Sequence, residues 1–106
     1  MKLEAIIAQR LSEARKTAGL TQQELGVAAG IEEETAKVRI HQYEQAKHLP
    51  PYSMLERLAE VLGKPITWFV CRDGQQDLIL ALDELSSEKT EAAEVLIRQL
   101  MNDRTT

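Results

Sequence analysis

Apolar positions recur at helical spacing along nearly all of this 106-residue chain, and nowhere do they alternate as a half-buried strand would. Over residues 4–17, Ile7, Leu11, Ala14 and Ala18 form one stripe with Ile6 beside it, predicting a first helix that Gly19 ends as a permissive cap. Thr21 and Glu24 have the spacing of a capping box, in which each side chain satisfies the other residue's free backbone N–H. Leu20 and Leu25 occupy the two positions of a hydrophobic staple, so a second helix starts sharply here and stops at Gly30 after roughly two turns. A third helix covers part of 32–45. Leu49-Pro50-Pro51 then breaks the chain, because proline lacks a donor and biases its predecessor away from helix.

Residues 52–62 restart an amphipathic helix through Leu55, Leu58, Ala59 and Leu62, ended by Gly63. Ile66, Trp68, Phe69 and Val70 read as a short fifth helix closing the core, and residues 72–76 read as a hinge. Beyond it, 77–85 and 87–101 predict two more apolar-faced helices. The fold class is all-α: a domain over 1–71 followed by a C-terminal helical segment over 72–106.

The third helix separates two faces when wound at about 100° per residue. Ala36, Ile40 and Tyr43 fall together on the core side; Val38, His41, Gln42 and Gln45 lie opposite, with Lys37 and Arg39 on the flanks. Such a face is most often merely solvated. It also holds the chemistry that reads DNA: glutamine pairs bidentately with adenine, arginine or lysine with guanine, and a small apolar group meets the thymine methyl. Following a capped helix and a glycine turn, it points to a helix presented to base edges.

Charge changes this picture little. The formal net charge of −4 lies wholly in the C-terminal third: residues 1–71 hold nine Lys/Arg against nine Asp/Glu, residues 72–106 four against eight. At physiological salt, charges more than about 8 Å apart are largely screened, so a distant acidic segment need not cancel a basic face. Between Ala36 and His48, Lys37, Arg39 and Lys47 stand against Glu44 alone.

Other chemistry finds little support. The longest apolar run is far below the ~20 residues that cross a bilayer, and no signal segment opens the chain, so a cytoplasmic protein without membrane contact is expected. A lone cysteine, Cys71, excludes an internal disulfide. Cys71, His41 and His48 lack ligand-cluster spacing, so no metal is expected; no phosphate loop or nucleophile–base pair suggests a cofactor or an enzyme. Trp68 and Phe69 suit core packing better than base stacking. Leu78, Ile79, Leu82 and Leu85, then Val95, Leu96, Ile97 and Leu100, offer more apolar surface than a 70-residue domain requires, which favours a homodimer interface over folding back on the same core.

One resemblance sharpens the reading. Arg10-Leu11, Arg15, the run Gly19 to Leu25, Gly30-Ile31, the run Ile40 to Glu44, Lys47, Pro50 and the run Leu58 to Gly63 occur in order and at diagnostic spacing. Through them segment 10–69 resembles the lambda-repressor-like (Cro-type) helix-turn-helix family, also called the xenobiotic-response-element family of bacterial and phage regulators. The resemblance implies five helices, the third in the major groove and the second crossing the backbone. It implies base contacts from Lys37, Val38 and Gln42, and phosphate contacts from Gln22, Gln45 and Lys47. Gln22 would also brace the start of helix 3. Arg15 and Glu44 match a pair joining helix 1 to helix 3. Together with the helix face, this gives Lys37, Val38, Arg39 and Gln42 as specificity residues and Gln22, His41, Gln45 and Lys47 as positioning residues.

The implied function is a homodimeric transcriptional regulator, a repressor, on double-stranded DNA with an inverted-repeat operator. The alternative is a protein-interaction module, antitoxin-like or enzyme-regulating. Two departures from the family pattern bear on it. Gly30 and Tyr43 lie thirteen positions apart, about one helical turn more than usual, and Glu32, Glu33 and Glu34 fall in the insertion. Either helix 3 starts a turn early or the extra turn is a loop leaning away from the duplex. Ala46 stands where the family has glycine, so a left-handed backbone there would cost roughly 1–2 kcal/mol unless the exit loop takes another path.

Overall fold

The computed structural model describes residues 3–88, 98–99 and 101. Six helices and no strand occur among the described residues: α1 (Leu3–Thr17), α2 (Gln22–Ala28), α3 (Glu33–Glu44), α4 (Tyr52–Leu62), α5 (Ile66–Val70) and α6 (Gln76–Glu88). The chain divides into two compact units, Met1–Val70 and Cys71–Thr106.

The first unit holds α1 to α5 around a core in which Leu11, Leu25, Ile40, Leu58 and Phe69 are fully buried, one from each helix. Helix α2 packs most extensively on α3; α1 packs on α3 and α5, and α4 on α2 and α5. The expected helix starts hold. Thr21 caps α2 through both bonds of the box, Glu24 N to Thr21 Oγ1 at 3.0 Å and Thr21 N to Glu24 Oε1 at 2.9 Å. The backbone N–H of Thr21 holds the Glu24 carboxylate below its ordinary pKa. Trp68 and Phe69 are buried edge to face at 5.0 Å, which makes them core.

Four helix ends share one solution. After α1, α2, α3 and α4, the chain reverses through a residue at positive φ, at Gly19, Gly30, Ala46 and Gly63. The next residue donates back across the turn: Leu20 N to Arg15 O, Ile31 N to Gly26 O, Lys47 N to Gln42 O and Lys64 N to Ala59 O, all within 2.9–3.1 Å. This is the Schellman arrangement, which glycine normally serves because a Cβ is disfavoured at left-handed φ. Ala46 adopts it at φ 57, so the exit from α3 takes the left-handed turn despite lacking glycine. Ala46→Gly is therefore expected to stabilise the unit by about 1 kcal/mol, with thermal melting raised by several degrees. An unchanged or lowered melting temperature would mean that the strain is relieved elsewhere.

Two expectations are corrected. Ala18 is not part of the core stripe: α1 ends at Thr17, the Gly19 turn follows at once, and Ala18 is exposed. In the second unit the predicted break after residue 85 is absent, and α6 runs unbroken to Glu88. Ser86 and Ser87 are weak helix formers, but each costs only about 0.5 kcal/mol, too little to stop a helix without glycine or proline. The expected hinge at 72–76 is a tight turn, with Gly74 at φ 86 and Gln75 N bonded to Arg72 O at 3.1 Å. Of the expected 87–101 helix, Arg98, Gln99 and Met101 are helical; Val95, Leu96, Ile97 and Leu100 lie outside the described residues.

Candidate nucleic-acid interface

The candidate site is the outer face of α3, and its position depends on how α3 is held. Ala36, Ile40 and Tyr43 are buried, as the helical projection expects. Burial pushes the Tyr43 phenol above its ordinary pKa, partly offset by the charge of Arg39. At its start α3 settles the open question of the extra turn. The helix begins at Glu33, so the insertion lengthens α3 by a turn at its N-terminus, and Glu33 and Glu34 form its first turn. Three carboxylates there suit the helix dipole, and none of Glu32, Glu33 and Glu34 is buried.

Close approach of α2 to α3 is permitted by one missing side chain. A Cβ on Gly26 would lie 2.7 Å from Ala36 Cβ and 3.0 Å from its carbonyl oxygen. Gln23 then spans the two helices: its Nε2 donates to Glu33 O at 2.9 Å and its Oε1 accepts from Lys37 N at 3.2 Å. These are the carbonyl and amide of one helical i to i+4 step, so the glutamine amide locks the first turns of α3 in place.

The far end of α3 is held from two sides. Arg15 of α1 donates from Nε to Glu44 Oε2 at 2.6 Å and from Nη2 to Glu44 Oε1 at 3.1 Å, in fork geometry. Its Nη1 donates to Leu20 O at 2.9 Å, tying the pair to the turn between α1 and α2. Gln22 completes the cluster by donating to Glu44 Oε1 at 3.1 Å. The scaffold role expected for Arg15 and Glu44 matches this geometry. The bracing role expected for Gln22 needs correction: Gln22 reaches the last turn of α3, and Gln23 holds the first. A second arginine is also structural. Arg10 is 3% exposed and donates from Nη1 to Trp68 O at 3.2 Å, joining α1 to α5.

Held this way, α3 turns a continuous face outward. Lys37, Val38, Arg39, His41 and Gln45 are exposed and Gln42 is half-buried. Val38, 59% exposed, shares the centre of this face with His41 and Gln45 at i, i+3 and i+7. Lys37 stands on the flank toward α2, where Arg15, Thr21, Gln22, Gln23 and Lys37 line one shallow opening. Arg39 stands on the other flank, roughly 160° around the helix from Lys37 at 100° per residue, and lines an opening with Met54 and Arg57 of α4. Lys47 is exposed on the turn after α3, its backbone fixed by the bond to Gln42 O. Seven of the eight expected contact residues thus lie on α3 or its exit, and Gln22 lies beside Lys37.

Gln23, Gly26 and Ala36 were not singled out by the sequence as site-forming. A small residue at each of two facing helix positions is a signal, but only once the facing pair is known. Glu34 also lies on the exposed side of α3, one turn before Val38, which puts one carboxylate on the same face as the cations. Among the described residues no group of His, Cys, Asp and Glu is placed to hold a metal ion, and no helix is long and apolar enough to cross a membrane.

Comparison with known proteins adds to this geometry. A family model described as a helix-turn-helix domain matches residues 6–66. Among solved structures, the crystal structure of the transcriptional regulator BswR is similar over 91% of this chain and 96% of that chain, with 34% identity and a TM-score of 0.71. No curated protein matches the chain in a sequence search.

Proposed function

The chain belongs to the helix-turn-helix domain family, and from that we propose a homodimeric transcriptional repressor that acts in the cytoplasm on an inverted-repeat operator. One observation carries this reading. The face of α3 that bears Lys37, Val38, His41, Gln42 and Gln45 is turned away from the core, on a helix fixed at both ends by Gln23 and by the Arg15–Glu44–Gln22 cluster. A base-reading helix must be rigid and must offer hydrogen-bonding groups without burying them. At twelve residues α3 is about 18 Å long, enough to follow a major groove over several base pairs.

In this reading Lys37, Val38, Arg39 and Gln42 carry specificity, while Gln22, His41, Gln45 and Lys47 position the backbone. The domain is residues 1–71, and the C-terminal helical segment 72–106 forms a two-fold interface through apolar positions of α6 such as Leu78, Ile79 and Leu82. That symmetry would set the two α3 helices about 34 Å apart, one turn of DNA. No catalysis is invoked.

The test is binding to sites selected from a random DNA pool, with two variants compared. Gln42→Ala is expected to cost roughly 1–3 kcal/mol on the selected site and to relax one base position, with little loss on random DNA. Lys47→Ala is expected to weaken all sequences alike and to reduce the salt slope by about one. Equal losses for Gln42→Ala on both DNAs would remove it from base reading, and an unchanged slope would remove Lys47 from the phosphate contacts.

A second reading has one observation in its favour. Glu34 on the outward face of α3, with the acidity after residue 71, suits a protein partner better than a polyanion. An antitoxin-like or enzyme-regulating module would show no gel shift on random DNA at low salt, where a repressor binds non-specifically.

A further inference from the structure

We infer that the notch between α3 and α4 is a phosphate site formed by Arg39 and Arg57, taking a DNA backbone phosphate on the strand opposite the one nearest Gln22 and Lys37. This deepens the repressor reading and rests on it, and it moves Arg39 from reading bases to holding the backbone. The notch has a volume of about 330 Å³ and is lined by Gly30, Ile31, Glu32, Thr35, Arg39, Met54 and Arg57. Two guanidiniums from different helices meet one opening there.

Among the described residues, Arg39 and Arg57 make no ion pair and donate no hydrogen bond, whereas Arg10 and Arg15 are committed within the fold. The Arg57 head lies against Gly30, since a Cβ built there would come within 3.5 Å of Nη1. The small residue leaves that guanidinium over backbone, with room for a ligand beside it. Arginine presents a planar fork that matches phosphate bidentately, and two such forks outweigh the single carboxylate of Glu32 in the same opening. Thr35 adds a hydroxyl, which bonds weakly to Glu32 O at 3.4 Å.

The side of the helix decides the strand. A helix in the major groove has one sugar–phosphate backbone on each side. Lys37, Gln22 and Thr21 lie on the α2 flank of α3 and the Arg39–Arg57 notch on the α4 flank, so the two clusters straddle the outward face. Helical spacing alone puts Arg39 on a flank of the third helix. Arg57 lies on the next helix, where nothing in its spacing marks it.

The experiment compares the full chain with Arg57→Gln and Arg57→Lys, measuring binding to the selected site and to random DNA from about 50 to 200 mM salt. Arg57→Gln is expected to lower affinity about three- to tenfold on both DNAs and to reduce the salt slope by about one. Arg57→Lys should keep the slope, because it keeps the charge. Melting temperatures should not move, since Arg57 makes no hydrogen bond or ion pair among the described residues; a fall in melting with an unchanged slope would make Arg57 structural and overturn the site. Wild-type binding with an unchanged Arg57→Gln slope would overturn the notch alone, whereas wild type that binds no DNA would overturn the repressor reading beneath it. Titration with inorganic phosphate at constant ionic strength, followed by the Gly30 and Thr35 amide resonances, separates the sources. Saturable phosphate binding lost in Arg57→Gln without a change of DNA slope would assign the notch to a small phosphorylated ligand and overturn the DNA assignment.

Discussion

Arg15→Ala is expected to destabilise the first unit by about 3–5 kcal/mol, the range for breaking a buried ion pair from one side. Glu44 is the reason. Its side chain is 4% exposed, and Arg15, 12% exposed, supplies two of its three hydrogen bonds. Removing the guanidinium leaves a carboxylate in the interior with only the Gln22 amide, and leaves Leu20 O without the Arg15 Nη1 donor. A domain of this size holds on the order of 5–10 kcal/mol in total, so the variant is expected to be partly unfolded at physiological temperature. Denaturant titration checks this through the midpoint at constant slope. Arg15→Met combined with Glu44→Leu should recover most of the loss, because no charge is then stranded. A loss below about 1 kcal/mol for Arg15→Ala would mean that the pair behaves as a solvated surface bridge.

This pair also connects fold to function. Glu44 is the last residue of α3 and is bound from α1 and α2 together, so the angle of α3 depends on the contact. Added to Arg15→Ala, Glu44→Gln keeps the side chain's shape and removes the stranded charge, and it separates loss of stability from loss of helix orientation. The same dependence explains why the outer face of α3 need not spend its own side chains on anchoring. Lys37, Val38, His41 and Gln45 are left to solvent, and the helix is held through its backbone at Glu33 and Lys37 and through its terminal carboxylate.

What could be read in advance follows from the range of each interaction. Thr21 and Glu24 cap within one turn, and Leu20 and Leu25 flank the same cap, so the start of α2 depended on no distant residue. The buried face of α3 followed from period alone, because Ala36, Ile40 and Tyr43 can share only one side of a helix. The first residue of α3 did not follow. Glu33 and Glu34 suit either a helix start or an acidic loop, and the deciding contact comes from Gln23, ten positions away. Gln22 and Gln23 are chemically identical neighbours, and only the packing of α2 on α3 determines which holds the first turn and which the last. Ala46 shows the reverse case. Local propensity argued against the left-handed turn, yet the bonds from Ala46 N to Tyr43 O and from Lys47 N to Gln42 O impose it.

Gly26→Ala is expected to cost about 3 kcal/mol and to lower DNA affinity beyond the loss of stability. Helix propensity alone predicts the opposite sign, since alanine is favoured over glycine by about 1 kcal/mol within a helix. Sterics reverse it. The added methyl would meet Ala36 at Cβ (2.7 Å), at the carbonyl oxygen (3.0 Å) and at Cα (3.1 Å). None of these atoms belongs to a side chain that can rotate away. Relief requires α3 to move off α2 as a body, and overpacking of that kind costs about 1–3 kcal/mol or more. The movement would also lengthen the Gln23 bonds to Glu33 O and Lys37 N, now 2.9 and 3.2 Å, and tilt the outward face. Thermal melting and binding to the selected site, measured on the same variant, check both halves. Adding Ala36→Gly removes the closest contact but leaves the carbonyl and Cα, so the double variant should recover stability only in part, with a coupling of at least about 1 kcal/mol. If Gly26→Ala instead melts at or above the wild-type temperature, helix propensity has won, and the spacing between α2 and α3 is not the rigid element on which the outward face of α3 depends.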